Sequence, residues 1–485
     1  MVNQTQRAVV DGAQFDVVIV GAGVAGLLAA HELLRRRPGT RMLVADAGPP
    51  LEGRSTHVGA AMGGFGGAGL FLGGRLYLGA AALPVQPPVT APEALRPVVS
   101  GEEYVRQANI VDALLHDLGA RAEWQRRPPE PLEQAIAQAE AAGLEYVTSY
   151  PSRRLSPEDK RTTLAALRER LEAGGARFLF QAQVRAVEGT GAGFTLALAS
   201  ADGAIADVPR KLRARMLLLA PGRYGAEWLK QIAEALGAEV VATPSLFGVR
   251  LEIPASVYDP LTDVNPDPRL QMALASDAYI KTYATCPGGR VVAVARYGAL
   301  VASGVPALRR EERGPSTTLA ILAQPGVVGA RGEWRGGEAC AATLNARAPG
   351  RLIAQRLGDV RRGEATSEAA LAANPVRPTD GGAVAGGLHD AFPSVYWRAF
   401  ETFLARIERL APGVASDDAL VYGPAEERAW RYPTDATLQT TTRGLFVAGD
   451  GAGQSQGIIQ ASVAGLLAGE GIARALDAAT PARGE

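Results

Sequence analysis

Cysteine is nearly missing from this chain: two residues in 485, Cys286 and Cys340, far apart and in no Cys-x-x-Cys. That spacing excludes a dithiol redox pair of the thioredoxin-reductase kind and a thiolate metal site. So small a number fits a reducing cytoplasm. Histidine is scarce too, with four residues and no pair at metal-binding spacing, so no metal is expected. Net charge is absent, because 50 Lys+Arg balance 50 Asp+Glu. The chain therefore lacks the electrostatic footprint of a protein that binds nucleic acid or an anionic membrane. No apolar run reaches the length of a membrane span. The apolar stretch 15–30 is broken by Asp16 and punctuated by Gly21, Gly23 and Gly26, with no basic stretch before it, which argues against a signal peptide. The expectation is a soluble, cytoplasmic, globular protein of two or three domains.

Glycine, by contrast, is abundant at 57 residues, many of them inside apolar segments. That points to tight turns and close backbone approaches rather than disorder. In "FDVVIVGAGVAGLLAAHELLRR" a buried strand, Asp16 to Val20, runs straight into Gly21-x-Gly23-x-x-Gly26 and then a helix. A second strand, "RMLVAD", ends in Asp46. Strand, glycine triplet, helix, strand and terminal acid form the βαβ dinucleotide unit. Gly21 permits the turn, Gly23 lets backbone N–H groups approach a pyrophosphate, and Gly26 lets helix and strand pack closely. Asp46 accepts from a ribose diol. Val24, Ala25 and Ala47 are expected at the ligand with them.

The unit alone does not choose between NAD and FAD. A second strand–glycine–helix stretch, "RGLFVAGDGAGQSQGIIQASVAG", lies at 443–465. A strand there can join the first sheet, so that Gly449, Asp450, Gly457 and Ile458 close over a ribityl chain or pyrophosphate at a helix N-terminus. This returning turn favours FAD. Between the two, Gly63 to Gly69 is too apolar for a linker and reads as a flavin-proximal loop with Gly66, Gly67, Ala68 and Gly69 at the ring; a glycine-rich hinge is the alternative. The strand in "ARFLFQAQVRAV" is expected to meet adenine through Val184. "LLLAPGRYGAEWL" brings Ala220, Pro221 and Gly222 to the cofactor in a second turn. That turn is not Gly-x-Gly-x-x-Gly, so NAD(P)H is expected at most as a transient electron donor.

The fold class expected is α/β. A glutathione-reductase-like Rossmann FAD-binding domain is assembled from 14–95, 145–245 and 425–478. A helical insertion occupies 96–144, and an inserted, mainly antiparallel β substrate or cap domain occupies 246–424.

The ordered motifs "VVIVGAGVAGLLAA", "GGFGGAGLFLGGRL", "YPSRRL", "LLLAPGRYGAEWL", "GVRLEIP", "CPGG", "QRLGD", "VRPT", "ERLAPGV" and "GLFVAGDGAGQSQGIIQASVAG" span nearly the whole chain. In them the chain resembles a family of FAD-dependent dehydrogenases within the glutathione-reductase-like Rossmann superfamily. The resemblance implies FAD at the three glycine sites, with Asp46 on the adenosine ribose. Two departures stand out. Many relatives carry a cysteine-rich stretch before the glycine run, where this chain has "RSTHVGAAMGG"; relatives read Ser-Asp-Gly-Lys where it has Leu72-Gly73-Gly74-Arg75. The second departure puts the substrate in question.

For proton handling, Lys281 and Tyr283 alternate onto one face of a strand with Thr285; a half-buried sheet surface is the competing explanation. Gln454, Ser455 and Gln456 either bind the flavin or cap the next helix. His57 is a conceivable covalent flavin attachment. Trp430, Arg431 and Tyr432 wall the site or pack a core. The expected function is a FAD-dependent oxidoreductase moving a hydride or two electrons to or from a small organic substrate. A flavin monooxygenase is the alternative, weakened because Gly449-Asp450-Gly451-Ala452-Gly453 lacks the histidine of many hydroxylases. A flavoprotein acting on a macromolecule such as RNA is a second alternative, opposed by the neutral charge balance.

Overall fold

The computed structural model describes residues 12–54, 63–77, 95, 98–148, 150–200, 211–242, 246–275, 278–296, 298–307, 310–324, 337–427, 430–455 and 457–479. His57 and Gln456 lie outside the described residues. Two compact units divide the chain: Met1–Arg127 with Ser149–Ala242 and Ala429–Glu485, and Pro128–Thr148 with Thr243–Arg428. The stretch 96–144 is thus shared between them, its first helix going to one unit and its second to the other.

In chain order the first unit holds β1 (Gln14–Val20), helix α1 (Val24–Arg36), β2 (Met42–Ala45), β3 (Arg75–Tyr77), α2 (Gly101–Asp117), β4 (Ser152–Arg154), α3 (Pro157–Ala173) and β5 (Arg177–Leu179). It continues with β6 (Ala182–Thr190), β7 (Gly193–Ser200), β8 (Lys211–Leu219), α4 (Ala226–Ala235), β9 (Leu445–Val447) and α5 (Ile458–Ala478). The sheet runs β5-β2-β1-β8-β7-β6, with β9 beside β8. β1 pairs in parallel with β2 and β8, and β9 in parallel with Leu217–Leu219. Val17, Val18 and Ile19 have no exposed surface, as a parallel central strand covered on both faces requires. The strand from the C-terminal glycine stretch therefore lies one strand away from β1.

Two local features set the edges. α3 opens with a capping box: Ser156 accepts from the Asp159 N–H and Asp159 accepts from the Ser156 N–H. The run "ARFLFQAQVRAV" is two strands rather than one. Gln181 adopts a left-handed φ of 55° and donates its N–H to Gly48 O at 2.9 Å. This bend lets β5 pair with β2 while β6 turns to pair with β7.

α5 returns along α1. A Cβ added to Gly465 would lie 2.3 Å from Ala25 O, and one on Gly469 2.5 Å from Ala29 O. Only glycine permits so close a crossing. Leu27, Leu28, Leu33, Val463 and Ile472 fill the core around it.

The second unit is built on an eight-stranded sheet, mostly antiparallel, with Leu246–Pro254, Ser316–Ala323 and Ala278–Cys286 at its centre. A two-stranded pair, Arg290–Arg296 with Ala299–Val305, accompanies it. Among the described residues no helix is long and apolar enough to cross a membrane.

Candidate functional site

Within the first unit the ends of β1, β2, β8 and β9 open onto a cavity of about 690 Å3. The carboxyl ends of parallel strands are where open α/β sheets place ligands. Two helices begin at this cavity. α1 starts after Gly23 and α5 after Gly457; neither has a side-chain cap or an acid in its first turn. Their N–H groups and positive dipole ends are therefore available to an anion.

The glycine loop docks on the first turn by backbone contacts. Gly66 donates its N–H to Ala22 O at 2.9 Å, and a Cβ on Gly67 would lie 3.0 Å from the Gly23 Cα. Asp46 ties the same parts together. Its Oδ2 accepts the Ala22 N–H at 2.7 Å, and its Oδ1 accepts those of Gly48 at 2.7 Å and Gly64 at 2.8 Å. A carboxylate has about four acceptor sites, so one remains on Oδ2. Behind the loop, Arg54 donates to Phe65 O at 3.1 Å and Gly67 O at 3.2 Å and stacks 4.1 Å from the Phe71 ring centre. Burial pushes its pKa down to about 10, against the pull of Asp46.

At the other end Arg223 forks onto Asp450, Nε to Oδ2 at 3.1 Å and Nη2 to Oδ1 at 3.3 Å. Ser455 is buried at 2% exposure and lines the cavity, and its hydroxyl has no partner among the described residues. The Trp228 indole N–H is likewise unmatched in the wall. An unsatisfied buried hydroxyl is costly and marks a place for a ligand atom or a water.

Of the residues named from sequence, Gly21, Gly23, Val24, Ala25, Asp46 and Ala47 line this cavity. So do Gly67, Ala68, Gly69, Val184, Ala220, Pro221 and Gly222, and, from the chain's last part, Gly449, Asp450, Gly457 and Ile458. Gly26 and Gly66 stand behind the wall: a Cβ on Gly26 would meet Gly21 O at 2.0 Å, and one on Gly66 would meet Leu164 Cδ2 at 2.6 Å. Lys281 and Tyr283 belong to the second unit, where they share a partly exposed strand face with Tyr279; the Lys281 Nζ lies 5.1 Å from the Tyr283 ring centre and 5.7 Å from that of Tyr279. Trp430 and Tyr432 are buried, at 8% and 5% exposure. Cys286 and Cys340 are buried and form no disulfide with each other.

Sequence reasoning missed Arg54, Arg75, Tyr77, Arg223 and Trp228. Arg223 had a signal, since it sits inside the glycine turn already assigned to the site. Arg75 had one in the departure from the family motif. Arg54 had none, because nothing in "LEGRSTH" shows that its side chain folds back under a loop eleven residues away.

The sequence profile of the FAD binding domain family matches residues 16–267. No curated protein sequence matches the chain. Among solved structures it is similar to glycine oxidase from Geobacillus kaustophilus, at 15% identity and TM-score 0.38, over 95% of each chain. It is also similar to 3-ketosteroid-delta4-(5alpha)-dehydrogenase from Rhodococcus jostii RHA1, at 13% identity and TM-score 0.39, over 95% of this chain and 97% of that one. A third is a variant of E. coli quinol fumarate reductase FrdA, at 15% identity and TM-score 0.42, over 98% of this chain and 72% of that one. Similarity this low bears on none of the three reactions.

Proposed function

The chain belongs to the FAD binding domain family, and from that premise we propose that it moves a hydride, or two electrons, between FAD and a small organic substrate, as a dehydrogenase or reductase rather than a monooxygenase. The observation that carries this is the meeting of two glycine turns, from opposite ends of the sequence, at one cavity with two uncapped helix N-termini.

When bound, FAD supplies the two-electron redox chemistry; the protein binds, orients and manages protons. The backbone at Gly21, Gly23, Val24 and Ala25 holds the pyrophosphate at the start of α1. The open site on Asp46 Oδ2 takes one hydroxyl of the adenosine ribose. Val184 reads the adenine edge through its main chain. Gly67, Ala68 and Gly69 would hold the flavin ring, Ala220 to Gly222 would line the cofactor's cavity, and Asp450 would accept from the ribityl chain. Gly457 and Ile458 present the α5 N–H groups, and the unmatched Ser455 hydroxyl gains its partner. Lys281 and Tyr283 polarise a substrate carbonyl or carry its proton. The preference for dehydrogenase over monooxygenase rests on the closing turn, which lacks the histidine of many hydroxylases.

The test is anaerobic reduction of the purified yellow protein, first with NADH or NADPH and then with candidate substrates. Bleaching followed by slow recovery in air is expected. Fast, peroxide-forming recovery sinks the dehydrogenase reading, and a colourless protein that takes up no FAD sinks the whole assignment. Lys281→Met and Tyr283→Phe should slow turnover at unchanged FAD content; unchanged turnover in both removes them from the chemistry.

A further inference from the structure

The flavin-proximal loop is held from two sides by groups of opposite charge. At its start the Asp46 carboxylate accepts the Gly64 N–H at 2.8 Å. In its middle the Arg54 guanidinium donates to two carbonyls, Nη1 to Phe65 O at 3.1 Å and Nη2 to Gly67 O at 3.2 Å. The arginine is itself fixed along its length. Its guanidinium carbon lies 4.1 Å from the Phe71 ring centre, and a Cβ on Gly64 would lie 3.0 Å from its Cδ, so the stem passes close under a glycine. Gly67, Ala68 and Gly69 belong to the cavity wall and Arg54 does not. The guanidinium therefore grips the loop from behind.

A peptide group is planar and trans, so the C=O of one residue and the N–H of the next point in opposite directions. With Phe65 O drawn to Arg54, the Gly66 N–H must point the other way, and it does, to Ala22 O at 2.9 Å. The same rule governs the second carbonyl that Arg54 holds. With Gly67 O drawn back, the Ala68 N–H is turned to the side away from Arg54, where Ala68 lines the cavity. Gly67 by itself does not fix that choice. It has a φ of +59° and no side chain, so the Gly67–Ala68 peptide could rotate and offer its carbonyl to the cavity instead. A backbone donor and a backbone acceptor at one point make opposite demands on a flat ring edged with nitrogen and oxygen acceptors.

We propose that Arg54 is a positioning residue for the cofactor: by holding Phe65 O and Gly67 O behind the loop, it presents the Ala68 N–H, and not a carbonyl, to an acceptor atom of the flavin ring. The proposal rests on the FAD reading above and adds to it the residue that sets the loop's polarity. Arg54 acts through the loop and not by contact with the ring. Its pKa, lowered by burial to about 10, keeps it charged near neutrality, so both bonds to the loop are charge-assisted.

The test is a crystal structure of the FAD-loaded protein, together with the reduction potential of the bound flavin in the unaltered protein, Arg54→Met and Arg54→Lys. In the unaltered holoprotein the Ala68 N should lie within about 3.2 Å of a ring nitrogen or oxygen. Met removes both bonds to the loop, and Lys keeps the charge without the planar fork. Both variants should change the ratio of affinities for reduced and oxidised FAD at least about tenfold, which is about 30 mV for a two-electron couple. A strap that served stability alone would lower the melting temperature of both variants and leave the potential unmoved, and that result overturns the proposal. So does a shift in Arg54→Met with none in Arg54→Lys, which would assign the effect to charge alone. So does an Ala68 N–H that meets protein or solvent in place of the ring. Should the variants fold poorly or release FAD, the crystal structure of the unaltered holoprotein decides the matter. A protein that takes up no FAD sinks the FAD reading itself, whereas each of the overturning results leaves that reading intact.

Discussion

At the first glycine turn, a Cβ on Gly21 would lie 2.1 Å from Ala220 O and one on Gly26 2.0 Å from Gly21 O, both rigid backbone. Gly23, between them, faces nothing nearer than the Gly67 Cα at 3.9 Å. At the closing turn a Cβ on Gly451 would meet Gly222 O at 2.4 Å, but one on Gly457 meets only the tip of the Gln460 side chain at 2.2 Å. Gly457 also has an extended φ of −159°, which any residue adopts. The two turns look alike in sequence, yet their glycines do different work. Gly21, Gly26 and Gly451 are glycine because the chain presses on itself. Gly23 is glycine because the wall must stay open, and at Gly457 the structure itself makes only a soft demand.

The comparison breaks most severely at Gly26 and Gly21. Alanine at either should cost several kcal/mol, from rigid overlap and, at Gly21, a φ of +112°. We expect little soluble protein, or a melting temperature at least about 10 °C lower; normal melting would show that the turn relaxes and that the packing argument is wrong.

Asp46→Asn should come next. Both carboxylate oxygens accept N–H groups, so the amide NH2 must face a donor whichever way it flips. Leaving one or two buried donors unmatched costs roughly 1–3 kcal/mol each. Lower melting together with weaker FAD binding is expected. If only FAD binding falls, the carboxylate serves the ligand alone.

Gly23→Ala against Gly457→Ala sharpens the contrast directly. The first should fold normally and bind FAD at least about tenfold more weakly, because the added methyl enters the space of the ligand. The second should change affinity no more than about threefold, once Gln460 swings aside. Equal losses in titrations of the apoprotein would erase the distinction between an open glycine and a soft one.

The smallest effect concerns the clamp joining the helices that follow the two turns. Glu32 accepts from Arg35 and Arg36, and Arg36 also reaches Glu470 at 2.8 Å. Burial raises the Glu32 pKa, but the hydrogen bonds and charges of Arg35 and Arg36 outweigh it, so the net shift is downward. A carboxylate depressed in the folded state stabilises above its unfolded pKa, and that stability drains away as pH falls through the depressed value. Glu32→Gln should therefore lower the melting temperature slightly near neutrality and flatten its decline in acid. An unchanged acid slope would remove Glu32 from the clamp.

Much of the first unit was legible locally. The apolar run of β1, the glycine spacing and the acid at the end of β2 each express a short-range rule, and the structure has a Rossmann sheet there. Other features were not legible. The break at Gln181 depends on its N–H reaching Gly48, and the division of 96–144 depends on what each helix packs against, the first on α5 and the second on the strand Glu145–Tyr146. The pairing of charges at the cavity was also hidden, because Arg223 meets Asp450 from 227 positions away along the chain.

By itself the sequence determined that a dinucleotide-type turn opens the first sheet and that a related turn comes late in the chain, because strand, turn and helix follow from patterns a few residues long. The tertiary structure alone decided that β9 lies beside β8 and that α5 crosses α1 closely enough to demand Gly465 and Gly469. It also decided which acids and cations at the cavity are already satisfied. Such pairings join segments hundreds of positions apart, and only the path of the folded backbone brings their atoms within bonding distance.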